Sequence, residues 1–79
     1  LNVPLPAGTG NAGYRLACER IVAPVVRGFK PDLVIVSAGQ DASIMDPLAR
    51  MALTVDGYRF LTGMLLDLAD ETCGGRLVV

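Results

Sequence analysis

Apolar residues follow two different patterns along the chain. A helical period predicts the helices, and continuous apolar runs predict the strands. The first apolar stripe has members at spacings of four, three and four residues: Tyr14, Cys18, Ile21 and Val25. This spacing predicts an amphipathic helix. Pro24 lies within the stripe, so we expect the helix to kink or to be interrupted there. Gly28 and the Lys30-Pro31 pair predict its end.

A run of apolar residues without alternation follows this helix. It extends from Leu33 to Ser37 and predicts a strand that is buried on both faces, as in a parallel sheet. A long loop is predicted from about Ala38 to Leu53. The segment before the first helix differs, because Pro4 and Pro6 cannot donate to a sheet ladder. That segment is predicted to be extended chain or a sheet edge.

A second helix is predicted to begin at Thr54, which is a suitable N-cap, with Asp56 in the first turn where the helix dipole favours a negative charge. Gly74 and Gly75 predict its end, and the segment Arg76-Leu77-Val78-Val79 predicts the beginning of a further strand. The apolar face of this helix consists of Tyr58, Leu61, Leu65 and Leu68. The order helix, strand, helix, strand predicts an α/β fold with a right-handed parallel crossover.

Composition indicates an apolar chain for its length. Of the 79 residues, 52% are hydrophobic and 19% are charged, and the mean hydropathy is +0.48. A free-standing domain of this size would carry a more charged surface. The chain also starts at Leu1 and stops within the apolar run Leu77-Val78-Val79. We therefore expect residues 1–79 to be a partial domain, an internal to C-terminal segment whose apolar surface is covered by other chain.

Charge and cysteine content narrow the class of protein. The net charge is −1 and the basic residues are scattered singly, so no nucleic-acid footprint is predicted. No apolar segment reaches the about 18–20 residues that span a bilayer, and no signal peptide is visible. Cys18 and Cys73 lack metal-type spacing, which predicts reduced thiols in a cytoplasmic protein. The absence of histidine excludes His-dependent chemistry carried by these residues alone.

A glycine motif precedes the first helix. Gly8, Gly10 and Gly13 match the G-x-G-x-x-G pattern of a dinucleotide-binding turn. That pattern requires a buried strand before it and an acidic residue at the end of the next strand. Two prolines lie where the buried strand is required. Asp32 begins the next strand instead of ending it, whereas Asp41 ends that strand but lies too far from the glycines. A plain turn and helix start is the alternative interpretation.

Asp41 is the main candidate for chemistry, because ligands of open α/β sheets bind beyond the carboxyl ends of the strands. An Asp at this place can also be a turn-maker that bonds its own backbone, and position alone leaves both interpretations open. The Asp46-Pro47 pair is a turn signal. Ser37 has neither a histidine to activate it nor a G-x-S-x-G elbow, so a serine hydrolase is excluded.

Several linked motifs resemble the histone deacetylase family, in order over essentially all 79 residues. The nearest resemblance is to class II enzymes and bacterial deacetylase-like amidohydrolases, which are related to acetylpolyamine amidohydrolases. The motifs are Asn2 to Gly8, Pro31 to Ala42, Asp46-Pro47-Leu48, Leu53-Thr54 and Gly57-Tyr58. The resemblance implies a single α/β domain with a parallel sheet, as in arginases, and a catalytic zinc ion in loops at the strand ends.

The resemblance also implies roles for individual residues. Asp41 corresponds to a zinc ligand, and Leu48 to the leucine that lines the acyl-lysine pocket. Gly39, Asp46 and Pro47 would support the loop that carries them. An Asp-x-His ligand pair, two paired histidines and an oxyanion-stabilising tyrosine have no counterpart here, so no catalytic residue is assigned within the chain.

Two positions depart from the family pattern. Gln40 stands where many eukaryotic class II members have phenylalanine, which favours bacterial relatives. Ala49 stands where glycine is usual, so Ala49 is expected to carry strain if that position needs a positive φ.

The expected function is that of a zinc-dependent deacetylase or amidohydrolase, which hydrolyses N-acetyl amides of lysine or polyamine-like substrates. The segment alone is expected neither to hydrolyse such substrates nor to hold zinc tightly. Two alternatives are a dinucleotide-binding, Rossmann-like module and a non-catalytic deacetylase-like interaction domain.

Overall fold

The computed structural model describes all 79 residues. Helical structure runs without a break from α1 (Asn11–Ala17) through a π-helical segment (Cys18–Val22) to α2 (Ala23–Phe29). The strand β1 (Val34–Ile35), the long helix α3 (Val55–Cys73) and the strand β2 (Leu77–Val78) follow. The predicted order of helix, strand, helix, strand is confirmed, with the first helix divided by its π-helical segment.

The predicted interruption at Pro24 takes the form of this π-helical segment. Proline lacks an N–H and its ring clashes with the carbonyl four residues earlier, so an α-helical turn cannot continue through it unchanged. The N–H of Ala23 instead bonds the carbonyl of Cys18, which is the wider turn of a π-helix. The wider turn admits Pro24 at the start of α2 without ending the helix.

The wider turn also changes which residues face the core. Ile21 and Val25 were predicted to extend the buried stripe, and this prediction is wrong: they are 38% and 45% exposed. A π turn contains an additional residue, so every later side chain is rotated relative to a regular helix. The stripe passes instead through Ala23, which is 4% exposed, and the partly buried Val26.

The end of α2 lies at Phe29, one residue beyond Gly28. Lys30 adopts the left-handed conformation with φ of 55°, and its N–H bonds the carbonyl of Val26. Pro31 follows at once and prevents any continuation of the helix. The Lys30-Pro31 pair is therefore the stop signal, as predicted, whereas Gly28 remains helical.

The two strands form a parallel pair in the register Val34 to Leu77 and Ile35 to Val78. The pairing is confirmed, but the predicted burial on both faces is wrong. Val36 and Leu77 face α3 across a small cleft, whereas Ile35 on the opposite face is 70% exposed. Successive side chains alternate between the faces of a strand, and these 79 residues supply a covering helix for one face only.

The core lies where α3 packs against α1 and α2. Thr54 is the N-cap of α3 and Asp56 lies in its first turn, as predicted. Gly74 ends the helix in the left-handed conformation, with φ of 63°, which glycine adopts without strain. The buried apolar residues are Ala23, Leu53, Leu68, Ala69 and Cys73.

An ion pair joins α2 to α3 at the surface of the protein. Arg27 of α2 bonds Glu71 of α3 at 2.8 Å, and this bond holds the pKa of the Glu71 carboxyl below its usual range. Both cysteines are free thiols. None of the helices has the length and apolar character that crossing a membrane requires.

Candidate functional site

The loop that follows β1 is held at its base by backbone hydrogen bonds. The N–H of Gly8 donates to the carbonyl of Arg50 at 2.6 Å, and that of Ala52 donates to Thr9 at 2.9 Å. Within the loop, the N–H of Leu53 donates to Ala42 at 3.0 Å. The loop is thus connected both to the glycine turn before α1 and to its own beginning, so its two ends have fixed positions.

A side-chain pair fixes the start of α3 beside this loop. The Asn11 amide donates from Nδ2 to Thr54 Oγ1 at 2.7 Å, and Asn11 Oδ1 accepts from the Thr54 N–H at 3.1 Å. Gly57 lies against this pair, where a Cβ atom would collide with Asn11 Oδ1 and Leu53 Cδ2. Asn11, Thr54 and Gly57 form a brace, which we call the Asn11–Thr54 brace.

Asp41 lies six residues after β1 ends, on the exposed surface of the loop. Its carboxylate forms no hydrogen bond with the chain, and Asp41 occupies the second position of the turn that the Ser43 N–H closes on the Gln40 carbonyl at 3.1 Å. The carboxylate lies against Gly39, where a Cβ atom would be 2.7 Å from Asp41 Oδ1. Gly39 therefore leaves the space that the carboxylate occupies.

Asp46 organises the next turn of the loop. Its Oδ1 accepts hydrogen bonds from the N–H groups of Leu48 at 2.8 Å and Ala49 at 3.3 Å. The Leu48 side chain projects outward and is 88% exposed. The expectation of strain at Ala49 is wrong, because the positive φ of 56° falls on Arg50. A side-chain cap from Asp46 closes the turn at Ala49, so the left-handed residue comes one position later.

A pocket of about 470 Å³ opens between the loop, α1 and α3. Gly39 and Asp41 line it, together with two tyrosines that face them from the helices, Tyr14 of α1 and Tyr58 of α3. Leu48, Asp46 and Pro47 lie outside its lining. The structure thus brings Gly39 and Asp41 together in the pocket and leaves Leu48 on the exposed rim of the loop.

The two tyrosines share an electrostatic environment with Asp41. Burial raises the pKa of Tyr58, and the negative charges of Asp41 and Asp46 raise it further, while a hydrogen bond with the Ser43 backbone lowers it. Burial also raises the pKa of Tyr14, followed by the influence of Tyr58 and Asp41. Both phenols are therefore held in their neutral, hydrogen-bond-donating form near the carboxylate.

The glycine motif has a structural use. The N–H of Gly8 donates to the Arg50 carbonyl, so it is not available to a phosphate, and a parallel bridge between Gly10 and Ala52 joins the turn to the loop. Residues 1–7 contain no strand. The turn lacks the strand that a dinucleotide-binding unit places before its glycines.

Comparison with known proteins decides the family. The family model described as histone deacetylase domain matches residues 1–79. The chain belongs to the histone deacetylase family. It is 49% identical over 79 residues to a histone deacetylase-like amidohydrolase of Pseudomonas aeruginosa and 47% identical to histone deacetylase 8 of Arabidopsis thaliana. All of the chain aligns in both cases, and it spans 21% of each relative.

A solved structure shows the same fold. The crystal structure of the HDA15 HD domain superimposes on this histone deacetylase segment with a TM-score of 0.87 and 40% identity. The match covers 100% of this chain and 22% of that one. The α/β fold class is therefore confirmed, and the chain spans about a fifth of the length of the proteins it resembles.

The metal-binding capacity of this deacetylase segment is limited to single residues. No three side chains of His, Cys, Asp or Glu lie close enough together to hold a metal ion. Asp41 is exposed and unpaired, so its carboxylate is available as one oxygen ligand. Such a residue fits a shared zinc site, to which other residues must contribute.

The residues that sequence patterns missed lie on the helices. Tyr14 was predicted only as a member of an apolar face, and Tyr58 as such a member and as part of the Gly57-Tyr58 motif, with no role at a site for either. The usable signal was weak: two polar-tipped aromatic residues in apolar stripes require hydrogen-bond partners when they are buried. Their proximity to Asp41 arises from the packing of α1 and α3.

Proposed function

We propose that the chain is part of a zinc-dependent deacetylase or amidohydrolase that hydrolyses N-acetyl amides of lysine or polyamine-like amines and releases acetate. One observation carries this proposal. In a chain of the histone deacetylase family, the strand β1 leads to an exposed carboxylate, Asp41, that no group of the chain engages. An unengaged carboxylate on a braced loop at a strand end is suited to bind a metal.

Residues 1–79 would form one segment of the complete catalytic domain. The chain holds no histidine and no cluster of metal ligands, so the remaining ligands and the proton-transferring groups would come from other residues. The free thiols of Cys18 and Cys73 support a cytoplasmic location as part of the same proposal.

Four residues of the loop have a proposed role. The Asp41 carboxylate binds the metal, and Gly39 leaves room for it. Asp46 holds the backbone of Leu48, whose apolar side chain would contact the aliphatic stem of the acylated amine and exclude water. Bound zinc would supply the Lewis acid that polarises the amide carbonyl and activates water.

The test uses the full-length protein that contains this chain. We expect it to contain bound zinc and to release acetate from an acetyl-lysine peptide or an acetylated polyamine. Removal of the metal with a chelator should abolish turnover, and added zinc should restore it. Full turnover in the metal-free protein would contradict the zinc-dependent mechanism. A protein with neither zinc nor turnover would support the interaction-domain alternative.

Replacing Gly39 with alanine is expected to weaken zinc binding by about tenfold, within the range of substitutions next to metal ligands. The added Cβ would lie 2.7 Å from Asp41 Oδ1, so the exposed Asp41 side chain would have to rotate away from the position that it now occupies. Chelator competition on the full-length protein measures this affinity. Gly28→Ala is the matched control, because its Cβ would meet no atom within 4 Å. Equal zinc affinity in both variants would show that Gly39 does not position Asp41.

A further inference from the structure

A groove of about 550 Å³ lies between the extended segment before α1 and the helical stretch that follows it. Both sides line it with apolar side chains, which are those of Val3, Leu5, Leu16, Ala17 and Ile21. Its volume falls within the range of about 300–1,000 Å³ that is usual for small-molecule sites. It shares no lining residue with the pocket that contains Asp41. We call it the N-terminal groove, and it is a second candidate binding site.

The π-helical segment (Cys18–Val22) shapes one wall of the N-terminal groove. Its wider turn leaves Ile21 38% exposed, and Ile21 and Arg20 of this segment both line the groove. Leu16 of α1, on the same wall, is 53% exposed. Wider turns of this kind within α-helices often occur at functional sites. Two large apolar side chains therefore contribute to the groove instead of the core.

The opposite wall contains two prolines and a closed turn. Pro4 and Pro6 line the groove and have no N–H group to donate. The Thr9 hydroxyl donates to the Pro6 carbonyl at 2.6 Å and is therefore not available to a ligand. This wall offers apolar surface to a ligand, and none of these three residues offers it a free side-chain donor.

Arg20 is the only charged residue that lines the groove. Its guanidinium belongs to neither of the two ion pairs of the chain, which use Arg27 and Arg59. A guanidinium presents a planar pair of donors that matches the two oxygens of a carboxylate. The groove thus combines an apolar channel with one free cationic group.

We propose that the N-terminal groove binds a linear aliphatic carboxylate, whose head group pairs with Arg20 and whose hydrocarbon chain lies against Leu16 and Ile21. The charge-assisted hydrogen bonds fix the head group, and burial of the hydrocarbon chain supplies further binding energy. A ligand with many polar groups, such as a sugar, would leave several of them unpaired against the apolar walls. This inference is independent of the proposed function, because neither Asp41 nor a metal takes part.

The test titrates the full-length protein with octanoate in a calorimeter. We expect saturable binding at a single site, and no binding of octylamine, because Arg20 repels its positive charge. Arg20→Gln should weaken octanoate binding by about tenfold or more, the size of a lost hydrogen bond between charged groups. Arg59→Gln is the matched control and should bind octanoate as the wild type does, since Arg59 is exposed and lies outside the groove.

Leu16→Ser tests the apolar wall separately. The substitution removes hydrocarbon surface from the groove, and we expect octanoate affinity to fall by about tenfold. Leu16 is half exposed, so the variant should still fold, which its unfolding temperature measures. Unchanged octanoate affinity in a folded Leu16→Ser protein would contradict the proposed position of the hydrocarbon chain.

Three other results would overturn the inference. One is the absence of saturable octanoate binding in the wild-type protein, as expected if another part of the full-length chain fills the groove. The second is equal octanoate affinity in the wild type and in Arg20→Gln. The third is loss of binding in Asp41→Ala with retention in Arg20→Gln, which would place the ligand at the proposed metal site. We expect the opposite pattern, with octanoate binding kept in Asp41→Ala.

Discussion

Replacing Asp41 with alanine in the full-length protein is expected to abolish both zinc retention and acetate release. A catalytic zinc site uses three protein ligands and one open position, so loss of one ligand leaves too few groups to hold the ion. Asp41 makes no hydrogen bond within the chain, and its removal should therefore leave the unfolding temperature of the metal-free protein unchanged. Metal content of the purified protein and turnover of an acetyl-lysine peptide measure the effect.

Two further variants separate a ligand from a turn-maker. Asn forms the same side-chain turns as Asp, so Asp41→Asn would retain activity if Asp41 served the turn alone. We expect Asp41→Asn to be as defective as Asp41→Ala. Asp32→Ala is the control, since it removes an exposed carboxylate just before the same strand. Normal metal content and turnover in Asp41→Ala would show that Asp41 is not a zinc ligand.

Replacing Gly57 with alanine is expected to destabilise the full-length protein by about 2–4 kcal/mol, the combined size of an overpacked core position and a lost side-chain hydrogen bond. The added Cβ would collide with Asn11 Oδ1 and Leu53 Cδ2. Leu53 is 1% exposed and cannot move into solvent. Displacing Asn11 would break its bonds to Thr54, so the brace at the start of α3 would be lost with the close packing.

Gly63→Ala provides a control of opposite sign on the same helix. A Cβ at Gly63 would meet no atom within 4 Å, and alanine is favoured over glycine in a helix interior by about 1 kcal/mol. We therefore expect Gly63→Ala to raise the free energy of unfolding, measured by urea titration, and Gly57→Ala to lower it. If both variants stabilised the protein, Gly57 would not be a close-contact position.

The starts and ends of helices depend on residues that are close in the chain, so the sequence predicts them. Thr54 begins α3, Gly74 ends it, and the Lys30-Pro31 pair ends α2, because caps and stops act within one turn of the residue that causes them. The order of helices and strands likewise predicts the parallel pairing of β1 with β2. The linked motifs predict the family, which the match over residues 1–79 confirms.

The π-helical segment shows where local patterns fail. Pro24 predicts an interruption, but not whether the helix bends, breaks or widens by one residue. The widened turn rotates Ile21 and Val25 out of the core and Ala23 into it. A helical period computed at 3.6 residues per turn cannot include such a change, because the choice depends on how α2 packs against α3.

The sequence by itself determined the fold class, the family and Asp41 as a candidate carboxylate at a strand end. Only the tertiary structure decided which residues surround that carboxylate. Asn11 and Thr54 are 43 positions apart, and Tyr58 faces Asp41 from a different element. Periodicity and caps describe interactions within one element, whereas these contacts form when α1, α3 and the loop pack together. The pocket that Tyr58 and Asp41 share is a product of that packing.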